Sequence, residues 1–174
     1  MKIAILGYSG AGKSTLAKQL GTIYNIPVLH LDTVQFLPNW QERDRVEAVA
    51  IVTEFMKNDQ WVIDGNYTCF LQNERLEKAT EIIFLDFSRS VCFWSAFKRY
   101  IRNKNKTRSD MATGCIEKFD LEFMKWILFE GRTIKKRNYY KNITNNFKEK
   151  TIVLSNRKQV NLYLQNKVKG THIK

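Results

Sequence analysis

This chain is poor in the residues that build metal centres and disulfide frameworks. Three cysteines (Cys69, Cys92, Cys115) and two histidines (His30, His172) occur in 174 residues. The cysteines are odd in number, far apart and without metal-ligand spacing. They read as reduced, mostly buried thiols of a cytoplasmic protein. Two histidines cannot build a metal site alone. No run of 18 apolar residues occurs, so no membrane-spanning helix is expected. The apolar run near the start passes straight into a glycine loop and reads as a strand, not a signal peptide. No repeat or low-complexity linker divides the chain, and its length fits one domain over 1–174. Acidic residues are scarce in the second half alone. Residues 1–88 hold 8 Lys/Arg against 11 Asp/Glu, whereas residues 89–174 hold 21 against 6. Such a basic half faces nucleotide phosphates, nucleic acid or simply solvent.

What is present is concentrated in Gly7-Tyr8-Ser9-Gly10-Ala11-Gly12-Lys13-Ser14-Thr15. The spacing G-x-x-x-x-G-K-S follows the apolar run Ile3-Ala4-Ile5-Leu6 and precedes the helical pattern Leu16, Ala17, Leu20. Strand, glycine loop and helix in that order make a P-loop. Glycines let the backbone turn its N–H groups toward phosphate oxygens, and the helix N-terminus adds its dipole. ATP with Mg²⁺ is therefore the expected ligand. Gly7, Ser9, Gly10, Ala11, Gly12, Lys13, Ser14 and Thr15 would cradle the phosphates. Lys13 would reach the β- and γ-phosphates, and Ser14 would offer its hydroxyl to the metal.

β-Branched runs at 2–6, 27–31, 61–64, 81–86 and 151–154 alternate with helical patterns at 13–24, 41–57, 70–78, 91–103, 121–130, 134–147 and 158–167. The alternation predicts an α/β fold of three α/β/α layers around about five parallel strands. On the 41–57 helix, Val46, Val49, Ala50, Thr53 and Met56 fall near one face. The next long helix carries Val91, Trp94, Phe97 and Ile101. The stretch 103–114 is polar and basic and lies between two helices, as a mobile lid over phosphates would, or an ordinary solvated loop. The lid region is taken as about 99–120.

Acidic candidates stand where strands end. Asp64 and Asp86 each follow an apolar run, and either would hold Mg²⁺. Asp64 is favoured because Gly65-Asn66-Tyr67 turns next, onto the acceptor side of the cleft. Asp32 follows Leu29-His30-Leu31 and would take a proton from an acceptor hydroxyl, help order the metal or simply cap a helix. Downstream, Arg43 would clamp an anionic acceptor in a pocket walled by Phe36 and Trp40, although aromatics equally fill cores. Arg99, Arg108, Arg132 and Arg137 are basic-half candidates, with Arg108 in the lid. Arginines that close on a transferring phosphoryl group lower its barrier. Asn156, in the loop after the last strand, would border the nucleotide base.

The chain resembles the bacterial DNA topology modulation proteins, small P-loop proteins related to adenylate kinase. The match rests on Met1 to Leu16, Val28-Leu29-His30-Leu31-Asp32, Trp40-Gln41-Glu42-Arg43 and Trp61-Val62-Ile63-Asp64-Gly65-Asn66-Tyr67. It continues through Ile83-Phe84-Leu85-Asp86-Phe87, Lys106-Thr107-Arg108-Ser109-Asp110-Met111 and Asp120-Leu121-Glu122-Phe123. The resemblance implies an adenylate-kinase-like or shikimate-kinase-like core with a helical lid, with ATP and Mg²⁺ as ligands. Adenylate kinases carry Asp-Gly-Phe-Pro-Arg where this chain has Asp64-Gly65-Asn66-Tyr67, which speaks against AMP as acceptor. The expected activity is transfer of the ATP γ-phosphate to a small molecule or nucleotide. The alternative is a nucleic-acid-associated ATPase, although no helix-turn-helix or zinc-finger pattern is present.

Overall fold

The structure is a computed structural model that describes residues 1–104, 106–108 and 110–171. Asn105 and Ser109 of the expected lid, and His172, lie outside the described residues. In chain order the main elements are β1 (Lys2–Gly7), α1 (Lys13–Tyr24), β2 (Val28–His30), α2 (Leu31–Gln35), α3 (Arg45–Phe55), β3 (Trp61–Asp64) and α4 (Gln72–Lys78). They continue with β4 (Glu81–Leu85), α5 (Arg89–Arg102), α6 (Leu121–Leu128), α7 (Ile134–Asn146), β5 (Thr151–Leu154) and α8 (Arg157–Thr171).

The strands form one parallel sheet in the order β2-β3-β1-β4-β5. β1 lies at its centre, and Ile3, Ala4, Ile5 and Leu6 are all essentially inaccessible. A strand covered on both faces has no need of a polar alternate row, which explains its unbroken apolar run. The register sets Asp64 beside Ile5 on one side and beside His30 on the other. Gly7 pairs with Leu85 across β1 and β4. The carboxyl ends of the strands therefore converge where the chain order reverses about β1, the place where open parallel sheets bind ligands.

Local chemistry moves several expected boundaries. The strand expected over 27–31 ends at His30, because the Thr33 hydroxyl donates to the His30 carbonyl at 2.7 Å and Leu31 opens a short helix. Asp32 is thus on the first turn of α2, not at a strand tip. α3 starts four residues later than expected, where the Asp44 carboxylate accepts from the Val46 and Glu47 amides. Of its expected core face, Met56 is buried and Val49 partly so, but Val46, Ala50 and Thr53 are exposed. Ala48, Val52 and Met56 are buried, while Val46 is 78% exposed. The same holds for α5, where Cys92 and Ala96 face inward and Trp94 and Ile101 are more than half exposed. Small residues are needed there because α5 runs directly against the glycine loop.

The segment between α5 and α6 holds no helix among its described residues and closes through one antiparallel bridge, Thr107 to Ile116. It docks against the turn after α2. Trp40 Nε1 donates to the Ile116 carbonyl at 3.1 Å, and Cys115 Sγ donates to the Leu37 carbonyl at 3.4 Å. Cys92 and Cys115 are buried and Cys69 is partly exposed, all as free thiols. No helix among the described residues is long and apolar enough to cross a membrane.

Candidate active site

The glycine loop between β1 and α1 is shaped by what lies beneath it. Gly10 has φ +82°, and a Cβ there would stand 2.3 Å from the Cys92 carbonyl oxygen. Gly12 has φ +96°, and its Cβ would meet the Arg157 guanidinium at 2.6 Å. Gly12 also supplies no side-chain cap to α1. The amides of Lys13, Ser14 and Thr15 therefore begin a helix with no acceptor of their own, the arrangement that receives an anion. Gly10→Ala is expected to destabilise the fold by about 2–4 kcal/mol, from left-handed strain plus the backbone clash. A lowered urea midpoint at unchanged m-value would show it.

Lys13 folds its ammonium back into the loop, donating to the Gly7 carbonyl at 3.0 Å and toward the Tyr8 carbonyl at 3.4 Å. Burial pulls its pKa below the usual lysine value. The charges of Asp32 and Asp64 oppose that shift, and Arg99 adds to it. Both candidate aspartates thus act on Lys13. Beside it, Ser14 Oγ donates to Asp64 Oδ2 at 2.9 Å. The other carboxylate oxygen of Asp64, a residue only 4% exposed, accepts a short hydrogen bond from His30 Nδ1. Asp86, the other strand-end aspartate, is exposed and makes no such contact. His30 escaped the sequence reading because its tie to Asp64 exists only through the register of β2 on β3.

Among the residues expected to face an acceptor, Tyr67 donates its hydroxyl to Asp32 Oδ1 at 2.8 Å. Burial and the Asp32 carboxylate push the Tyr67 phenol far above its usual range, so it stays a donor. Gly65 hands its amide to the Ile5 carbonyl at 3.1 Å. Asn66 turns toward the phosphate loop. Its Oδ1 accepts from the Gly7 amide at 3.1 Å, and its Nδ2 donates to the Gly7 carbonyl at 2.7 Å. Arg43 is held by the Val34 carbonyl at 2.9 Å and by Glu47. Phe36 packs edge-on against Trp40 at 5.2 Å, and Trp40 is turned to the lid segment. Asp32 and Tyr67 thus stand together, whereas Arg43 Nε and Nη1 are taken up by Val34 and Glu47 and Trp40 Nε1 by the distant Ile116 carbonyl.

The arginines divide into two sets. In the segment 99–120, Glu117 pairs with both Arg99 (2.7 Å) and Arg108 (2.6 Å), and Asp110 pairs with Arg108 and Lys18. Burial works against ionisation of Asp110, but Arg108 and Lys18 outweigh it and hold the carboxyl below its ordinary value. Against the phosphate loop stand cations without a carboxylate partner among the described residues. Arg132 stacks 3.6 Å over the Tyr8 ring and donates to the Phe87 carbonyl at 2.6 Å. Arg137 is exposed, and its charge reaches the Tyr8 phenol. Arg157 lies over the Phe87 ring beside Gly12 and donates to Ser95 Oγ at 3.3 Å. Trp126 Nε1 donates to Ser9 Oγ at 3.2 Å. Asn156 caps α8 through the Gln159 amide at 2.9 Å, and it is its neighbour Arg157 that lies beside Gly12. Trp126 and Arg157 carry no motif that singles them out in the sequence.

The donor set fits a phosphate-bound Mg²⁺. No group of three or more His, Cys, Asp or Glu side chains among the described residues could hold a metal. A small hard cation does not require one when a hydroxyl, a single carboxylate and phosphate oxygens supply its shell. Ser14 and Asp64 are such a pair, and the cradle that a Cβ at Gly10 would disrupt fits the polyphosphate.

No protein-family model matches the chain, and no curated protein matches it in sequence. Solved structures do match its shape. A shikimate kinase from Bacteroides thetaiotaomicron superposes with TM-score 0.53 at 19% identity, covering 99% of this chain and 98% of the other. A gluconokinase from Sinorhizobium meliloti gives TM-score 0.51 at 13% identity, with 99% and 95% covered. At such identities the likeness is one of fold, and the chain has the three-layer α/β/α fold of P-loop kinases.

Proposed function

We propose that this chain is an ATP-dependent phosphotransferase that acts on a small-molecule acceptor. The observation that carries the reading is the junction of Ser14 with Asp64 at 2.9 Å beside Lys13, with Asp32 acting on the same ammonium. A glycine loop alone would serve any NTPase. A second carboxylate, Asp32, held by the Tyr67 phenol, would add a base for an acceptor hydroxyl.

Ser14 and Asp64 would hold Mg²⁺, which supplies charge neutralisation to the phosphates. The loop amides and Lys13 would bind and orient the polyphosphate. Asp32, kept in place by Tyr67, would receive the acceptor proton as its oxygen takes the phosphoryl group. Arg132, Arg137 and Arg157 would add positive charge along the loop, and Arg99 and Arg108 would join from the lid. The shikimate kinase and gluconokinase sharing the fold, by their names, both act on hydroxylated acids, so such acids belong in the acceptor panel. The resemblance to topology modulation proteins adds nucleotides to that panel, and the three unbridged thiols suit the cytoplasm.

The test is ATP consumption with Mg²⁺ across nucleosides, nucleoside monophosphates and hydroxylated acids, with Lys13→Ala as control. Stimulation by one acceptor class, lost in the variant, is the expected result. Turnover raised only by DNA would replace the reading with a nucleic-acid-associated ATPase.

A further inference from the structure

Arg75 has no part in the site described so far, yet it is the largest charged side chain sealed inside the protein, with no measurable exposure. No carboxylate among the described residues lies within ion-pair distance of it. Its partners are carbonyls of one loop. Nε donates to Phe70 O at 2.7 Å, Nη2 to Tyr67 O at 2.7 Å, and Nη1 reaches Gly65 O at 3.5 Å. One turn earlier on α4, Gln72 Nε2 donates to Asn66 O at 3.3 Å, and Gln72 Oε1 accepts from Tyr139 of α7. Side chains of α4 therefore grip four of the six carbonyls between Gly65 and Phe70.

A buried cation without a counter-ion is costly, and burial pulls the Arg75 pKa down to about 10. A leucine or methionine would fill that space without the cost. A planar fork with several fixed donors is the one side chain that can hold three carbonyls of a bent loop at once. The loop so held carries two residues whose side chains reach different elements. Asn66 grips both sides of the Gly7 peptide, where the phosphate loop begins. Tyr67 grips Asp32.

We infer that Arg75 is a positioning residue that couples the two ends of the site, fixing through one loop both the start of the phosphate loop and the acceptor-side aspartate. Its part in binding and turnover rests on the phosphotransferase reading. Its hold on Gly7 does not.

The test uses the full chain with Arg75→Lys, which keeps the charge but cannot span three carbonyls, and Arg75→Gln, which removes it. Amide hydrogen exchange at Gly7, read by NMR, is expected to quicken about 10-fold or more in either variant, matching Asn66→Ala. Binding of a fluorescent ATP analogue with Mg²⁺ is expected to weaken about 10-fold, and Arg75→Lys combined with Asn66→Ala to be no worse than either alone. Turnover in Arg75→Lys is expected to fall further than binding, by the factor that Tyr67→Phe alone produces. Unchanged exchange at Gly7, strictly additive losses, or failure of both variants to fold would overturn the inference and leave Arg75 as core structure. Analogue binding absent from the parent protein, with Gly7 exchange still tied to Arg75, would instead remove the phosphotransferase reading and leave the positioning intact.

Discussion

Lys13→Met is expected to lower MgATP-dependent turnover about 1000-fold or more while making the ligand-free protein more stable. Both effects come from one geometry. The ammonium is folded into a glycine loop with two carbonyl acceptors, at 3.0 and 3.4 Å, and no carboxylate within ion-pair distance among the described residues. Burial disfavours its charged form more than Asp32 and Asp64 favour it, so its pKa in the folded chain lies below the ordinary 10.5. Folding therefore works against the proton on this group. The cost is present in full below the folded pKa and fades as pH rises from there to 10.5. Methionine fills similar space without the charge, and the Gly7 carbonyl keeps its bond from Asn66. A stabilisation of about 1 kcal/mol at neutral pH is expected, in line with replacement of other buried charges by apolar groups. Urea unfolding of both proteins at pH 7 and near pH 10 checks it, because the advantage of the variant should shrink at the higher pH. A variant less stable than the parent at pH 7 would show that the lysine is at ease without phosphate.

The strand, glycine loop and helix were legible because their pattern is local. Strand, glycines, lysine and helix are contiguous, and the structure keeps them so. The sheet was legible for a similar reason, since a strand buried on both faces must be apolar throughout. What escaped was set by contacts distant in sequence. His30 meets Asp64 only through the pairing of β2 with β3. The inward faces of α3 and α5 were legible only in part, because the spacing of large apolar residues does not show where small ones must pack. In α5 the core instead requires small ones, where Cys92 lies under Gly10. Asn66 reads as an acceptor-side residue from its place after Asp64-Gly65. A side-chain amide that can pair with both sides of one peptide bond carries no sequence mark of doing so. Arg75 lies on a short helix whose pattern is unremarkable until the carbonyls beside it are seen.

Asp64→Asn is expected to reduce turnover by about 100- to 1000-fold, while Asp86→Asn leaves it within about threefold. The two aspartates occupy the same kind of position, one residue apart in their relation to a strand end, and differ in surroundings. Asp64 is buried and uses one oxygen for Ser14 and the other for His30, whereas Asp86 is exposed. An amide has one acceptor oxygen and one donor nitrogen, so one of the two contacts must reverse its direction or be lost. A contact that is lost and not reversed costs about 1–3 kcal/mol of stability. Stability loss alone, however, would lower the amount of folded protein and not the metal dependence of what remains. The readout that separates the two is the Mg²⁺ concentration needed for half-maximal turnover, which should rise in Asp64→Asn and also in Ser14→Ala. If both residues act on one ion, the double variant should be little worse than the more damaged single one. Full additivity, or an unchanged Mg²⁺ requirement in Asp64→Asn, would reduce Asp64 to an anchor for Ser14 and His30. The metal-holding carboxylate would then have to be sought at Asp32, whose charge acts on the same lysine.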